Sequence, residues 1–423
     1  MIKVSVLNES DIQGGAARAA YRIHHALRRE GVDSKMMVNK AVSGDWTVRG
    51  PKNFAQEVAV LLRKQVSTIP NLFFRSDNKT IHSSNLLMSG WSNRLNHSNF
   101  DLVHLHWLGK ETISIADIGD LTKPLVWTLH DMWAFCGAEH YTEDRRWSDG
   151  YNRKNRPSYE KGFDVNRWVW KRKKNHWKYP IQIVTPSSWL AECVQKSKLM
   201  SDWPVSVIPN AIDTQIWKPV HQTTARELLQ LPIDAPLILF GAEGGRRDYR
   251  KGFDLLQGAL QHLSGNVPDL ELLVFGQLSP KLPSKVGFPI HYTGHLHDDL
   301  TLRVLYSAAD LIVIPSRQDN LPNTGVEALA CGTPVVAFNT CGLQDIVHHK
   351  KTGYLAKAFD IEDLASGVCW VLDNVRNEKY RMNLDDSYKS KGLNACARRF
   401  ALNNFSYSVV AKKYIEVYRK VLA

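Results

Sequence analysis

Apolar and polar positions along the chain follow two alternating rhythms, short apolar runs of strand length and longer stretches with helical spacing. "IKVSVLN" opens as a strand. Gly14-Gly15 and the small-residue helix "AARAAYRIHHALRREG" follow, and Gly31 marks that helix's end. "DSKMMVN" is the next strand, and a less regular region extends to about residue 98. "DLVHLHW", "PLVWTLHD" and "IQIVTPS" are further strands, and "VSVIPNAID" closes the first half on a Pro-Asn turn. The second half restarts the rhythm: "PLILFGAEGG", "KGFDLLQGALQHL", "LELLVFG", "IHYTGH", "DLTLRVLYSAA", "DLIVIPS", "TPVVAF" and "GYLA" alternate strand and helix. A helix begins near residue 361, and "NNFSYSVVAKKYIEVYRKVLA" reads as a last amphipathic helix. Strands alternating with helices predict α/β architecture with parallel sheets. The break near residues 209–218 predicts two doubly wound domains, 1–208 and 209–402, with helix 403–423 packing back on the first.

Composition narrows this little. The chain has 423 residues, 43% hydrophobic and 23% charged, which suits a globular protein with two cores. No run of about 18 apolar residues predicts a membrane span. The start "MIKVSVLNES" reads as a strand and not as a signal peptide. Six cysteines without a C-x-x-C pair read as reduced thiols of a cytoplasmic protein.

In open parallel sheets, ligands bind beyond the carboxyl ends of the strands, so the loops after strands are where chemistry is expected. Gly14-Gly15 permits close approach of a backbone, and the helix after it presents amides to an anion. It lacks the full G-x-G-x-x-G fingerprint, and a plain tight turn fits it equally. His130 in "TLHDMW" follows a strand and can face a cleft; a structural histidine is the bland alternative, and His104, His106 and His140 have equal claims by position. "GAEGGRRDYRKG" (241–252) puts Arg246, Arg247, Arg250 and Lys251 before a helix, which suits phosphate, although no P-loop motif occurs. In "SRQDNLPNTGVEALACGTPVVAF" (316–338), Asp319 and Glu327 flank Asn323-Thr324-Gly325. Thr324-x-x-Glu327 has capping-box spacing, so Glu327 can simply close a helix start. Alternatively, two acids near helix amides suit a nucleotide diphosphate carrying a polyhydroxy group, with carboxylates accepting from hydroxyls and amides facing the pyrophosphate.

The stretch from Asp319 to Phe338 resembles the E-x7-E region of family 4 retaining glycosyltransferases, and "PNAIDTQIWKP", "RKGFDLL", "VLYSAADLIVIPS" and "GGAARAAYRI" lie in the matching order. "VWTLHDMWAFCGAEHY" with "DVNRWVWKRKKNHWK" resembles a subgroup from bacterial exopolysaccharide and lipopolysaccharide gene sets, including colanic acid. The resemblance implies the GT-B fold, two Rossmann-like domains facing across a cleft, and sugar transfer from a nucleotide-diphosphate sugar to a glycan or lipid-linked acceptor. By position, it implies that Glu327 binds the donor ribose and Asp319, where the family usually has Glu, faces the donor sugar. Asn323, Thr324 and Gly325 would offer amides, and Lys251 with Arg246 would hold the diphosphate; Arg247 and Arg250 are alternatives to Arg246. Gly294 and His295 fall at the base, Gly15 at the donor phosphates or acceptor, and His130 near the reacting carbon. With no D-x-D pair, neither a metal nor any other cofactor is expected. A sugar-nucleotide epimerase or phosphorylase, or a non-catalytic nucleotide-sugar-binding protein, is the competing reading.

Charge adds one question. The net charge of +12 is concentrated in residues 145–178, which hold 12 Lys/Arg against 3 Asp/Glu, with Trp168, Trp170 and Trp177 among them. A helix packing its Trp face into the core, an anionic membrane surface met from the cytoplasmic side, and nucleic acid all fit this composition. The family resemblance removes nucleic acid from the expected partners.

Overall fold

The computed structural model describes residues 1–241, 248–276, 287–296, 298–384 and 391–423. The chain divides into two compact units, Met1–Ala211 with Val410–Ala423, and Ile212–Val409.

The first unit is built on a seven-stranded sheet in the order Val48–Arg49, Asp33–Lys40, Lys3–Ser10, Leu102–Leu105, Leu125–Thr128, Gln182–Thr185, Val205–Val207. Every pairing in it is parallel. Parallel strands need helical crossovers, which cover the sheet faces, and the central strands Leu102–Leu105 and Leu125–Thr128 are accordingly largely apolar and buried. The chain order reverses beside Lys3–Ser10, so the loops after that strand and after Leu102–Leu105 flank a switch point, the favoured ligand position in such sheets. Helix Gly15–Arg29 leaves the first of these loops through Gly14, whose φ of 91° is left-handed territory suited to glycine. Trp127, Trp133, Phe135, Val169, Trp177 and Ile183 form much of the core. Each such side chain, fully buried, contributes roughly 1.5–3 kcal/mol.

The second unit repeats the plan with six parallel strands, in the order Ile290–Gly294, Glu271–Phe275, Leu237–Gly241, Leu311–Ile314, Val335–Phe338, Gly353–Ala356. Its switch point lies between Leu237–Gly241 and Leu311–Ile314. The loops after these two strands are the ones that carry Lys251 and Asp319.

Two expectations change in detail, and one of the readings left open for residues 145–178, a Trp face packed into the core, is observed. The tail is two helices, Leu393–Phe405 and Tyr407–Leu422, broken where Ser406 turns extended (ψ 149°). The second is part of the first unit: Tyr414 and Tyr418 are fully buried, and their hydroxyls meet Thr128 Oγ1 at 3.0 Å and His104 Nδ1 at 2.7 Å. The region read as irregular before residue 98 contains helix Phe54–Val66, started by Asn53, whose side chain accepts from the Gln56 amide at 3.0 Å. The tryptophans of 145–178 face inward: Trp170 and Trp177 are buried, and Trp168 packs against the core. Lys173 of the same helix is fully buried, donates to the carbonyls of Trp133, Cys136 and Gly137, and has its pKa lowered by burial to about 7. Lys171, Lys174 and Lys178 remain exposed. No helix among the described residues is long and apolar enough to cross a membrane.

Candidate active site

The carboxyl end of the second sheet assembles one cluster. Strand Leu311–Ile314 ends at Pro315, and the chain then turns through Arg317 to Asp319. The chain after strand Leu237–Gly241 returns at Tyr249–Lys251, a short 3-10 turn closed by Gly252 with φ 65°. A Cβ at Gly252 would lie 1.9 Å from the Pro315 carbonyl oxygen, so only glycine lets these two loops touch. Arg317 then fastens them. Its amide donates to the Arg250 carbonyl at 2.7 Å, and its guanidinium forks onto Asp254 at 2.7 and 2.6 Å and lies 3.8 Å from the Tyr249 ring centroid. That fork holds the Asp254 carboxyl below its ordinary pKa. With the loops joined, Lys251 Nζ donates to Asp319 Oδ2 at 2.6 Å. Asp319 is buried, while the Lys251 side chain stays partly open to solvent.

Eight residues on, Glu327 lies in helix Asn323–Ala330, 4% exposed, and Tyr306 donates its hydroxyl to Glu327 Oε2 at 2.8 Å. The helix begins after Pro322 with no side-chain cap, and Glu327 is its fifth residue. The capping-box alternative therefore does not describe this helix: Glu327 sits two residues beyond the capping-box position, oriented by Tyr306. Asn323 and Thr324 occupy the opening helical positions, whose amides point out of the N-terminal end. Gly325 has a different use from the one expected. Its amide donates to the Pro322 carbonyl at 3.1 Å, and a Cβ there would press on Ile314 and Ile346 at 3.1 Å. Gly325 sets close helix–strand packing and does not present a donor to a ligand. Gly294 ends the edge strand with φ 71°, and the exposed His295 follows it. Arg246 and Arg247 lie outside the described residues. Arg250 is engaged by Asp248 at 2.7 Å.

A cavity of this unit lies elsewhere. It is lined by Leu263, Val267, Asp269, Ala365 and Trp370. Val267 and Asp269 precede strand Glu271–Phe275, so that cavity sits at the amino ends of the strands and away from Lys251.

In the first unit, Gly15 is the first residue of its helix, and His130 stands two residues past strand Leu125–Thr128. His130 is half-buried in a small pocket with His106, Trp107, Leu129 and Asp131. His106 Nδ1 lies 3.0 Å from His130 Nε2, and the two rings stack at 5.3 Å. His106 Nε2 is buried with no hydrogen-bond partner. A buried N–H without an acceptor costs more than a bare lone pair. The His106 proton therefore belongs on Nδ1, donated to His130 Nε2, which puts the His130 proton on its Nδ1. Burial lowers the His130 pKa to about 4, against a smaller opposing pull from Asp131. The ring is neutral near pH 7 and acts as a hydrogen-bond donor, not a cation. His104 and His140 are structural. His104 is fully buried between Thr128 and Tyr418, and His140 is held by Asp131 at 2.6 Å and Ser83 at 2.8 Å.

Tyr306, Arg317 and His106 as a partner of His130 were not legible in the sequence. Tyr306 lies on a separate helix, and neither it nor Arg317 stands in a recognisable spacing to the residue it orients. Among the described residues, no group of three or more His, Cys, Asp or Glu could hold a metal.

A parallel sheet carrying a cation–carboxylate pair, a buried acid and a helix N-terminus at its switch point is a doubly wound α/β unit with polar groups gathered where such sheets take ligands. Comparison with known proteins gives the class. Residues 13–216 match the model described as Glycosyltransferase Family 4, and residues 236–374 match the one described as Glycosyl transferases group 1. Together these matches support a family 4 type glycosyltransferase with the GT-B architecture. A curated relative, the D-inositol 3-phosphate glycosyltransferase of Xylanimonas cellulosilytica, is 34% identical over 172 residues, 37% of this chain and 40% of that protein. The chain thus spans about two fifths of that relative's length. Among solved structures, Anabaena HepE in complex with UDP and glucose superposes with a TM-score of 0.61 at 16% identity, over 99% of this chain and 100% of that one. WaaG, a glycosyltransferase involved in lipopolysaccharide biosynthesis, gives 0.62 at 17%, over 98% and 99%. At these identities the structural likeness establishes the shared fold.

Proposed function

We propose that the protein is a retaining, metal-independent glycosyltransferase that moves a sugar from a nucleotide-diphosphate sugar to a glycan or lipid-linked acceptor of the cell envelope. The observation that carries this is the Lys251–Asp319 pair, held at a sheet switch point a few residues before helix Asn323–Ala330, which contains Glu327. Glu327 accepts from the ribose hydroxyls. Lys251 and the amides of Asn323 and Thr324 stabilise the departing diphosphate, the largest share of the rate in such chemistry. Asp319 accepts from a hydroxyl of the donor sugar. The acceptor hydroxyl attacks the anomeric carbon on the face the diphosphate leaves. A carbon–oxygen bond forms as the bond to the phosphate oxygen breaks, and that oxygen takes the acceptor's proton. His130, neutral, donates from Nδ1 to the sugar as charge develops.

The envelope assignment rests on the motifs shared with the exopolysaccharide and lipopolysaccharide subgroup. The exposed Lys171, Lys174 and Lys178 extend it to a location: they would draw the protein to anionic lipid on the cytoplasmic side, with a range of about 10 Å at 0.1 M salt.

The test is a panel of nucleotide sugars incubated with purified protein and read by mass spectrometry, with and without EDTA. Slow release of free sugar with retained configuration, unaffected by chelation, is the expected result. Epimerised nucleotide sugar, or binding without turnover, would replace this reading with its competitors, and activity lost to EDTA and restored by magnesium would remove metal independence.

A further inference from the structure

Helix Phe54–Val66 is amphipathic in an inverted sense. Its inward positions are mostly polar: Gln56, Arg63 and Lys64 are partly buried, and Ser67 at its end is buried, with Val60 the one apolar residue among them. The spacing of 56, 60, 63, 64 and 67 marks a single helical face. Lys64 Nζ ties that face to Glu9 Oε1 at 2.5 Å, and the Ser67 carbonyl accepts from Ser84 Oγ at 3.0 Å. The larger apolar residues point outward. Phe54 is 79% exposed, Leu61 59% and Leu62 55%, and the helix buries no residue fully. Val58, partly covered, lies on the same outward face, four residues after Phe54 and three before Leu61. The chain beyond the helix continues the apolar surface with Ile69, Leu72 and Phe73, the last two 74% and 67% exposed. Singly exposed apolar residues are ordinary, but a contiguous set on one element marks an interaction surface.

What borders the set indicates its partner. Phe74–Arg75 pairs antiparallel with Lys161–Gly162, and the Phe163 amide donates to the Phe73 carbonyl at 2.8 Å. Gly162 has φ 77°, and a Cβ there would meet the Phe73 carbonyl oxygen at 2.1 Å, so this ribbon is built for close contact. It joins the apolar segment directly to the basic stretch. Arg75 pairs with Lys161 in this ribbon and both are exposed, and the exposed Lys52 and Lys79 lie close in the chain to Phe54 and to Phe73, against Glu57 and Asp77. Exposed apolar side chains bordered by bases match a surface with an apolar interior and anionic headgroups.

We propose that Phe54, Leu61, Leu62, Leu72 and Phe73 enter the headgroup–acyl boundary of an anionic bilayer, with the basic ribbon at the headgroups. This deepens the membrane reading above, which invokes only long-range attraction by Lys171, Lys174 and Lys178. The two are separable because attraction between exposed charges is screened by salt, whereas burial of apolar side chains is not.

The experiment is sedimentation of the full chain with vesicles of phosphatidylglycerol and phosphatidylcholine, and with phosphatidylcholine alone, at low and at high salt. Leu61→Glu/Leu62→Glu is compared with Lys171→Glu/Lys174→Glu/Lys178→Glu. The expected results are binding to the anionic vesicles, a fraction surviving high salt, and at least about a tenfold loss of that surviving fraction in the leucine variant. Its melting temperature and nucleotide affinity should be unchanged, since both leucines are exposed and lie outside the site. Wild type bound at low salt but fully released at high salt would overturn apolar insertion while sparing the electrostatic reading. A wild type that never sediments with vesicles would overturn both. Self-association abolished by the leucine variant, without vesicle binding, would assign the face to a second copy of this chain and overturn the proposal. Each of these outcomes is independent of donor turnover, which the nucleotide-sugar panel reads.

Discussion

Removing the Tyr306 hydroxyl isolates the orientation of Glu327 from everything else that residue does. Tyr306 is fully buried, and its ring packs against Trp217 and Phe275 at centroid distances of 5.9 and 5.8 Å. Its carbonyl accepts from Thr333 Oγ1 at 2.7 Å. Tyr306→Phe keeps ring and backbone and deletes the 2.8 Å hydrogen bond to Glu327 Oε2. A hydrogen bond to a charged group contributes about 1.5–3 kcal/mol net. Because the bond exists in the free protein, most of this falls on stability, and a loss of about 1–3 kcal/mol is expected. The remainder falls on binding. A carboxylate free to rotate pays to be fixed against the ribose, and a nucleoside diphosphate should bind roughly 3–10-fold more weakly, about 0.7–1.4 kcal/mol. Glu327→Gln supplies the second edge of a double-mutant cycle. Calorimetric titration of UDP and GDP into wild type, both single variants and the double variant measures the coupling, expected at about 0.5–3 kcal/mol for residues in contact. Additive effects on affinity, or wild-type affinity in Tyr306→Phe beside a lowered melting temperature, would show that Tyr306 supports the core alone and that Glu327 is not held for a ligand.

Three further outcomes follow from particular contacts. Gly252→Ala forces a left-handed φ on alanine, about 1–2 kcal/mol, and drives a Cβ into the Pro315 carbonyl; chemical denaturation should give a total loss of at least about 2 kcal/mol with weakened nucleotide binding, and wild-type values would refute the joining of the two loops. Buried neutral histidines set an acid-stability trend: burial lowers His24 and His104 from 6.5 to about 3, and His82 and His130 to about 4. The unfolded chain then takes up protons first as pH falls below about 6.5, so melting temperature should decline between about pH 6.5 and about pH 4. Glu139, raised by burial to about 7, and Glu111, also raised by burial, work in the opposite sense, two groups against these four and His25 and His106, which burial lowers as well, and the depressed carboxylates act only around and below their ordinary 3.8; a melting temperature that is flat or rising across that fall in pH would contradict this. His130→Ala should cut turnover far more than donor affinity, because a bond that strengthens only in the transition state leaves ground-state binding alone; equal losses in both, together with a large fall in melting temperature, would make His130 a core residue.

Architecture and the loops of the candidate site were written in local pattern. Periodicities of about 2 and 3.6 are local, and a parallel sheet with covered faces writes them as apolar runs, so the strands from "IKVSVLN" to "GYLA" were legible in order. The rule that ligands gather beyond strand ends then pointed to the loops holding Lys251, Asp319 and His130. Partners, by contrast, came only with packing. That Lys251 meets Asp319 across 68 positions, that Tyr306 orients Glu327, and that His106 fixes the His130 tautomer are facts of how loops and helices meet, and no spacing encodes them. Facing came the same way. A helical period reveals that a helix has two faces but not which one the fold will bury. The Trp-bearing helix Val165–His176 turned its aromatic face inward, while Phe54–Val66, in the stretch that read as irregular, presented its apolar face to the outside. Facing depends on what the rest of the chain has left uncovered, and that is a property of the assembled fold.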